Sequence, residues 1–388
     1  MKIVIATPVY PPEIGGPATY TVELVNRIKD KHNITIVAFA DNPIILDGTK
    51  FSYTSKKRPL PIRLLLFFLK LLFASRNADV IYVQNAMASG LPAMLISKLL
   101  RKPLVLKFVG DEAWERATQQ KITTKELSEF LQNPDKNLKI KIMMIIQGIV
   151  LRNSDIVTTP SLYLGEELKR AYKIKNNSFK VNYNAVGDDE NNEADDSSVK
   201  IKKIKNQIMT TARLVVWKGI DGVIKAVSIL KNRIPNIKLV VAGDGPEMDN
   251  IKKLINDLNI SKNVKLLGRV TRIETLKLRK ESEIYILNST YEGLPHTVLT
   301  SFSSKIPVIA TDIPGTNEAV YHKKTGLLVP PGNPEKLAKE IELLLKDKDL
   351  QKILTQNAEK LLKEKFSWEK HIETLMRFFT SVVSNPNN

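Results

Sequence analysis

The sequence predicts an α/β protein of two domains built from parallel βαβ units, and three observations carry that expectation. Short apolar runs of strand type alternate with stretches of helical spacing along the chain, as they do when strands are joined by crossover helices. The rhythm breaks at Gly187 to Ser198, an acidic segment with no large apolar side chain, and then restarts. The 388 residues also exceed one ordinary core and suit two domains of roughly 150–200 residues each.

The first strand is Ile3-Val4-Ile5-Ala6, closed by Pro11-Pro12, with a helix expected from about Ala18. Further strands are expected at Ile34 to Ala38, Val80 to Val83, Leu104 to Phe108 and Asp155 to Thr158, which places the first domain at 1–186. Asp188, Asp189, Glu190, Asn191 and Asn192 open a solvated linker, and Lys200, Lys202, Lys203 and Lys205 end it, giving bounds of 187–205. The second series has strands at Ile208 to Thr211, Leu239 to Ala242, Val264 to Leu267, Ile284 to Leu287 and Val308 to Thr311. Ile220, Val223, Ile224, Val227 and Leu230 recur at helical spacing and read as core. Thr271 with Glu274 forms a capping box. From Pro334 to about Val383, successive helices are expected to cover a sheet.

Composition narrows the chemistry. There is no cysteine, so disulfides, thiolate metal sites and a cysteine nucleophile are excluded, and a reducing, cytoplasmic setting is expected. Four histidines make a zinc site an unpromising expectation. Met1 to Val9 is too short and too weakly basic for a signal peptide. Leu64 to Ala74, interrupted by Lys70, falls short of the ~20 residues of a membrane-crossing helix. The net charge of +18 favours anionic partners such as nucleotide phosphates, nucleic acid or acidic lipid, without choosing among them.

Four constellations can carry chemistry, each between a strand and a helix. Gly15 and Gly16 follow the first strand, where backbone N–H groups and a helix start suit an anion, although a tight turn accounts for them equally. Arg213 and Lys218 flank the end of the second domain's first strand, where fixed cations suit a diphosphate. Gly243-Asp244-Gly245-Pro246 reads mainly as a turn. Asn288-Ser289-Thr290-Tyr291-Glu292-Gly293-Leu294-Pro295-His296-Thr297 is the densest run: Glu292 can accept from sugar hydroxyls, and the N–H groups of His296 and Thr297 can meet phosphate.

Taken in order, Tyr10-Pro11-Pro12 with Gly15-Gly16, Arg213 with Lys218-Gly219, Gly243-Asp244-Gly245-Pro246, and Glu292-Gly293-Leu294-Pro295 with Pro307 to Asp312 resemble glycosyltransferase family 4, from about residue 3 to residue 330. The resemblance implies the GT-B fold: two facing Rossmann-like domains, the second at 206–365, and a C-terminal helix at 366–388 returning toward the first. It implies a retaining, metal-independent hexosyltransferase with a UDP- or GDP-sugar as substrate and no cofactor. Carried over by position, Arg213 and Lys218 would neutralise the diphosphate, Glu292 would hold sugar hydroxyls, Gly16 would approach the phosphates and Arg269 the base. The implied acceptor is a glycan or lipid-linked molecule of cell-envelope polysaccharide or glycolipid synthesis.

Two departures stand out. A second glutamate usual eight positions after Glu292 is here Thr300, whose hydroxyl brings no charge to a ribose. A histidine usual before Gly-Asp is here Val109, which leaves Asp111, Glu112 or Arg116 as acceptor-side candidates. The rivals are a sugar-nucleotide epimerase, a non-catalytic donor-binding relative and a nucleic-acid binder, the last lacking aromatic residues interleaved with the cations. The charge also suits an anionic membrane surface. Lys56, Lys57, Arg58, Arg63 and Lys70 surround Leu64 to Phe68, and Lys139 and Lys141 precede Ile142 to Ile146. Buried helices with snorkelling lysines are the alternative.

Overall fold

Among the described residues the strand runs assemble into two parallel sheets, seven strands in the first half of the chain and six in the second. The computed structural model describes residues 1–13, 16–175, 178–187 and 202–384. Most of the expected linker, at 188–201, lies outside the described residues. The chain divides into two units, Met1–Asn182 with Ile372–Asn388, and Tyr183–His371.

The first unit runs β1 (Lys2–Thr7), α1 (Gly16–Ile28), β2 (Asn33–Phe39), β3 (Lys50–Thr54), α2 (Leu60–Ser75), β4 (Val80–Gln84), α3 (Gly90–Leu100) and β5 (Leu104–Lys107). It continues with α4 (Glu112–Gln119), α5 (Leu127–Gln132), α6 (Leu138–Arg152), β6 (Ile156–Thr159), α7 (Leu162–Tyr172) and β7 (Phe179–Val181). Its strands lie in the order β3-β2-β1-β4-β5-β6-β7. Helices on both faces bury the central strands, which is why β1 and β4 read as unbroken apolar runs.

The second unit runs β8 (Gln207–Thr211), a 3-10 turn (Val216–Lys218), α8 (Ile220–Leu230), β9 (Lys238–Ala242), α9 (Met248–Asp257), β10 (Val264–Leu266), α10 (Arg272–Glu281) and β11 (Ile284–Leu287). Then come α11 (His296–Ser303), β12 (Val308–Thr311), α12 (Pro314–Asn317), β13 (Leu327–Val329), α13 (Pro334–Lys346), α14 (Lys348–Lys365) and α15 (Trp368–Ser384). The order is β10-β9-β8-β11-β12-β13. The five apolar residues expected on one face of α8 are buried there, and the Thr271–Glu274 capping box opens α10.

Strands β3, β7 and β13 are additions to the sequence reading, and all three are sheet edges. An edge strand is covered less fully, so it needs no continuous apolar run. From Ile372 onward α15 belongs to the first unit, where buried Phe379 meets the Tyr82 ring edge-on at 5.3 Å.

Candidate active site

In the second sheet the strand order reverses between β8 and β11. Connections diverge at such a reversal and leave a crevice at the carboxyl ends of the strands. Both charged runs singled out in the sequence leave those two ends. After β8 the chain carries exposed Arg213, then the 3-10 turn that ends in Lys218. After β11 it carries Asn288 to Pro295 into α11.

The two loops are tied together. The Thr290 N–H donates to the Trp217 carbonyl at 2.8 Å, and the Asn288 side-chain amide donates to the Gly219 carbonyl at 2.8 Å. Gly219 is required twice over: its φ is +59°, and a Cβ there would stand 2.1 Å from the Asn288 carbonyl oxygen. Across this seam the Lys218 ammonium meets the Glu292 carboxylate at 2.5 Å, and the Ser289 hydroxyl donates to the same oxygen at 2.7 Å. A cation and a carboxylate thus stand together where sequence alone named them separately. Behind them, Gly315 lets α12 approach so closely that a Cβ would lie 1.8 Å from the Glu292 carbonyl oxygen.

The β9 loop packs against the same β8 loop. A Cβ at Gly243 would lie 1.8 Å from the Ala212 carbonyl oxygen and one at Gly245 2.4 Å from that of Leu214, so both glycines serve the close approach of two backbones. Asp244 accepts from the Gly245 N–H at 2.8 Å and from the Arg269 Nε at 3.1 Å. Arg269 is otherwise exposed beside this turn.

Helix α11 separates the remaining expected residues. His296 is exposed and Thr297 half-buried in its first turn, after Pro295 at the N-cap. Gly293 is half-buried on the loop before it. The Leu294 side chain is buried in the core between β11, β12 and α11. Thr300 departs from the expected ribose contact. It is buried, and its hydroxyl donates to the Thr297 carbonyl of its own helix at 3.0 Å, a bond typical of a helical threonine.

In the first unit the reversal falls between β1 and β4. Gly15 lies outside the described residues. Gly16 opens α1 in an ordinary conformation, and a Cβ on it would meet nothing within 4 Å, so neither packing nor backbone geometry demands a glycine there. Asp111 is a correction to the acceptor-side expectation. Its carboxylate is fully buried, caps α4 by accepting from the Trp114 N–H at 2.9 Å, and accepts from Tyr172 at 2.6 Å and Gln147 at 3.2 Å. Burial pushes its pKa up against these hydrogen bonds, and its task is to hold α4, α6 and α7 together. Glu112 is partly accessible beside it. Burial raises its pKa too, opposed by hydrogen bonds from the Asn85 side chain and the Met87 N–H at the end of β4. Arg116, one turn on, is exposed. No three His, Asp or Glu side chains among the described residues are grouped to hold a metal ion.

Residues 14–190 match the family model described as Glycosyltransferase Family 4, and residues 191–361 match that described as Glycosyl transferases group 1. Together the two matches span residues 14–361 and both are to glycosyltransferase models; the chain is a glycosyltransferase. An uncharacterized glycosyltransferase of Methanocaldococcus jannaschii is 25% identical over 416 residues, covering 99% of each chain. The lipopolysaccharide core biosynthesis glycosyltransferase LpsE of Rhizobium meliloti is 29% identical over 174 residues, 45% of this chain and 49% of its own. Among solved structures, HepE of Anabaena in complex with UDP superposes with a TM-score of 0.76 at 19% identity, covering 98% of this chain and 100% of that one. The fold of this glycosyltransferase is therefore GT-B, and its reaction is the transfer of a sugar to an acceptor.

Sequence reasoning placed Asn288 and Ser289 in the densest run of the glycosyltransferase site without giving either a role, and it missed Gly315. Ser289 stands three residues before Glu292, a spacing at which a hydroxyl can reach a carboxylate in a turn. The partner of Asn288 and the close approach at Gly315 depend on strand order and left no local signal.

Proposed function

We propose that this glycosyltransferase moves a hexose from a UDP- or GDP-sugar, with retention of configuration and without a metal ion or cofactor, to a glycan or lipid-linked acceptor of cell-envelope polysaccharide or glycolipid synthesis. The observation that carries the reading is the Lys218–Glu292 pair at the β8/β11 reversal: a cation suited to a diphosphate beside a carboxylate suited to sugar hydroxyls. The UDP bound by HepE and the core-lipopolysaccharide role named for LpsE support the donor and acceptor classes.

In the transfer, the bond from C1 of the sugar to the diphosphate oxygen breaks while the acceptor oxygen bonds C1 on the same face, and the acceptor proton passes to the departing phosphate. Arg213 and Lys218 stabilise the charge that grows on the leaving group, with the N–H groups of His296 and Thr297 adding to the field. Glu292 holds the sugar hydroxyls, Arg269 the base, and Gly16 leaves room for phosphate. Glu112 and Arg116 orient the acceptor from the first unit. The acceptor is reached from the cytoplasm at the inner face of a membrane, to which the protein attaches peripherally. Among the described residues no helix is long and apolar enough to cross one.

Arg213→Ala and Lys218→Ala are each expected to cost roughly 2–4 kcal/mol of transition-state stabilisation, read as nucleotide diphosphate release, with the circular dichroism spectrum retained. Titration calorimetry with UDP and GDP identifies the base. Unchanged turnover in both variants would remove the donor site from these loops.

A further inference from the structure

The first unit carries a surface that the transfer reaction does not use. Helix α2 turns Phe67 and Leu71 into the core, yet Ile62, Leu65, Leu69 and Phe73 form a second stripe at spacings of three and four residues that faces solvent, with Leu65 59% and Phe73 61% exposed. Helix α6 repeats the arrangement. Ile140 and Met143 point inward while Leu138, Ile142, Ile145 and Ile149 point out, Leu138 being 76% exposed. Helix α3 packs against both and presents Leu95 and Leu99, the latter 65% exposed. The snorkelling alternative thus accounts for the inward half of each helix and leaves the outward half unexplained.

Charge says what covers this face. None of the three helices contains an aspartate or glutamate. Their exposed charges are cations: Arg58 just before α2, Lys98 and Arg101 at the end of α3, Lys139 and Lys141 at the start of α6. Lys70 lies close enough to Arg58 for the like charge to add to burial in lowering its pKa. A second copy of the same face would set cation against cation, whereas an anionic leaflet offers apolar depth beneath a negative headgroup layer.

We infer that the outer face of α2, α3 and α6 is the docking surface for an anionic lipid bilayer, its leucines, isoleucines and Phe73 entering the headgroup boundary and its cations meeting the phosphates. This rests on the membrane attachment proposed above and adds the surface that makes it. The helices lie on the bilayer and do not span it.

Flotation of the full chain with vesicles tests the inference. The wild type is expected to float with phosphatidylglycerol-containing vesicles at low salt, to bind them at least tenfold less at high salt as charge is screened, and to ignore neutral phosphatidylcholine. The triple variant Leu65→Glu/Phe73→Glu/Ile145→Glu and the charge variant Lys98→Gln/Arg101→Gln/Lys139→Gln/Lys141→Gln are each expected to lose at least tenfold in vesicle binding. Hydrolysis of soluble nucleotide-sugar should stay unchanged, and Ile353→Glu in the second unit should bind as wild type. Leu65→Trp should show fluorescence quenched by brominated lipid. Undiminished flotation of both multiple variants would overturn the docking face while leaving membrane attachment standing, and no flotation of the wild type at low salt would overturn both. A dimer that the triple variant dissociates, in the absence of lipid binding, would make a second copy the occupant and equally overturn the inference.

Discussion

Thr300 and Lys107 show how differently single residues yield to reading. The sequence marks Thr300 as the place where a ribose-gripping glutamate is missing, but the hydroxyl is buried and already donates to the Thr297 carbonyl. Thr300→Ala is therefore expected to change nucleotide affinity by less than about twofold, since a side chain bonded within its own helix offers the ligand little; calorimetric titration checks it, and a tenfold loss would restore the ribose contact. Lys107 drew no attention in the sequence. It ends β5 nearly buried, with its ammonium 4.0 Å from the centre of the Tyr20 ring, and burial pushes its pKa from 10.5 down to about 7. Between these values the unfolded chain binds one more proton than the folded one, so stability rises with pH across that window, by at most about 1.4 kcal/mol per unit. Below about 7 both states are protonated, and the cost of burying the charge is present in full. Lys107→Met should raise stability near pH 6 and flatten the rise toward pH 9, as read from urea midpoints. An unaltered slope would show that another group sets it.

Among the elements, two glycines separate fold from function. Gly219 joins the 3-10 turn to α8 at positive φ, pressed against the end of β11. Gly219→Ala should destabilise the second unit by roughly 1–3 kcal/mol through backbone strain, and should lower turnover as Lys218 shifts from Glu292. Gly16 stands in open space at an ordinary φ. Gly16→Ala should leave the melting temperature within about a degree while raising the KM for donor, provided phosphate comes as close as proposed; steady-state kinetics beside a thermal melt distinguishes the two cases. The sequence showed both as glycines at strand-to-helix junctions, and their different reasons for being glycine lie in what surrounds them. The same holds for the acidic pair: Asp111 and Glu112 are neighbours in sequence, yet one is enclosed by Trp114, Tyr172 and Gln147 and the other stays partly accessible.

For the whole molecule, the last helix matters most. α15 starts in the second unit and ends in the first, where Phe379 is buried against Tyr82. Phe379→Ala should destabilise the first unit by about 3–5 kcal/mol, as truncation of a buried aromatic does, although the residue lies nearly 300 positions after Tyr82. Hydrogen exchange resolved by peptide should show lost protection in β1, β4 and β5 and none in β8 to β12. Equal loss in both units would overturn the assignment of this part of the helix to the first unit alone.

The sequence by itself determined the βαβ rhythm, the central strands of both sheets, the Thr271–Glu274 capping box and the ordered motifs that resemble glycosyltransferase family 4. These are written in side-chain periodicity and turn chemistry, which act over a few residues. Only the tertiary structure decided that Lys218 pairs with Glu292 across 74 residues, that the Asp111 carboxylate is enclosed, and that the outward faces of α2, α3 and α6 adjoin. Those outcomes depend on strand order and on which helix covers which strand, and a local pattern of apolar and polar residues is compatible with more than one such arrangement.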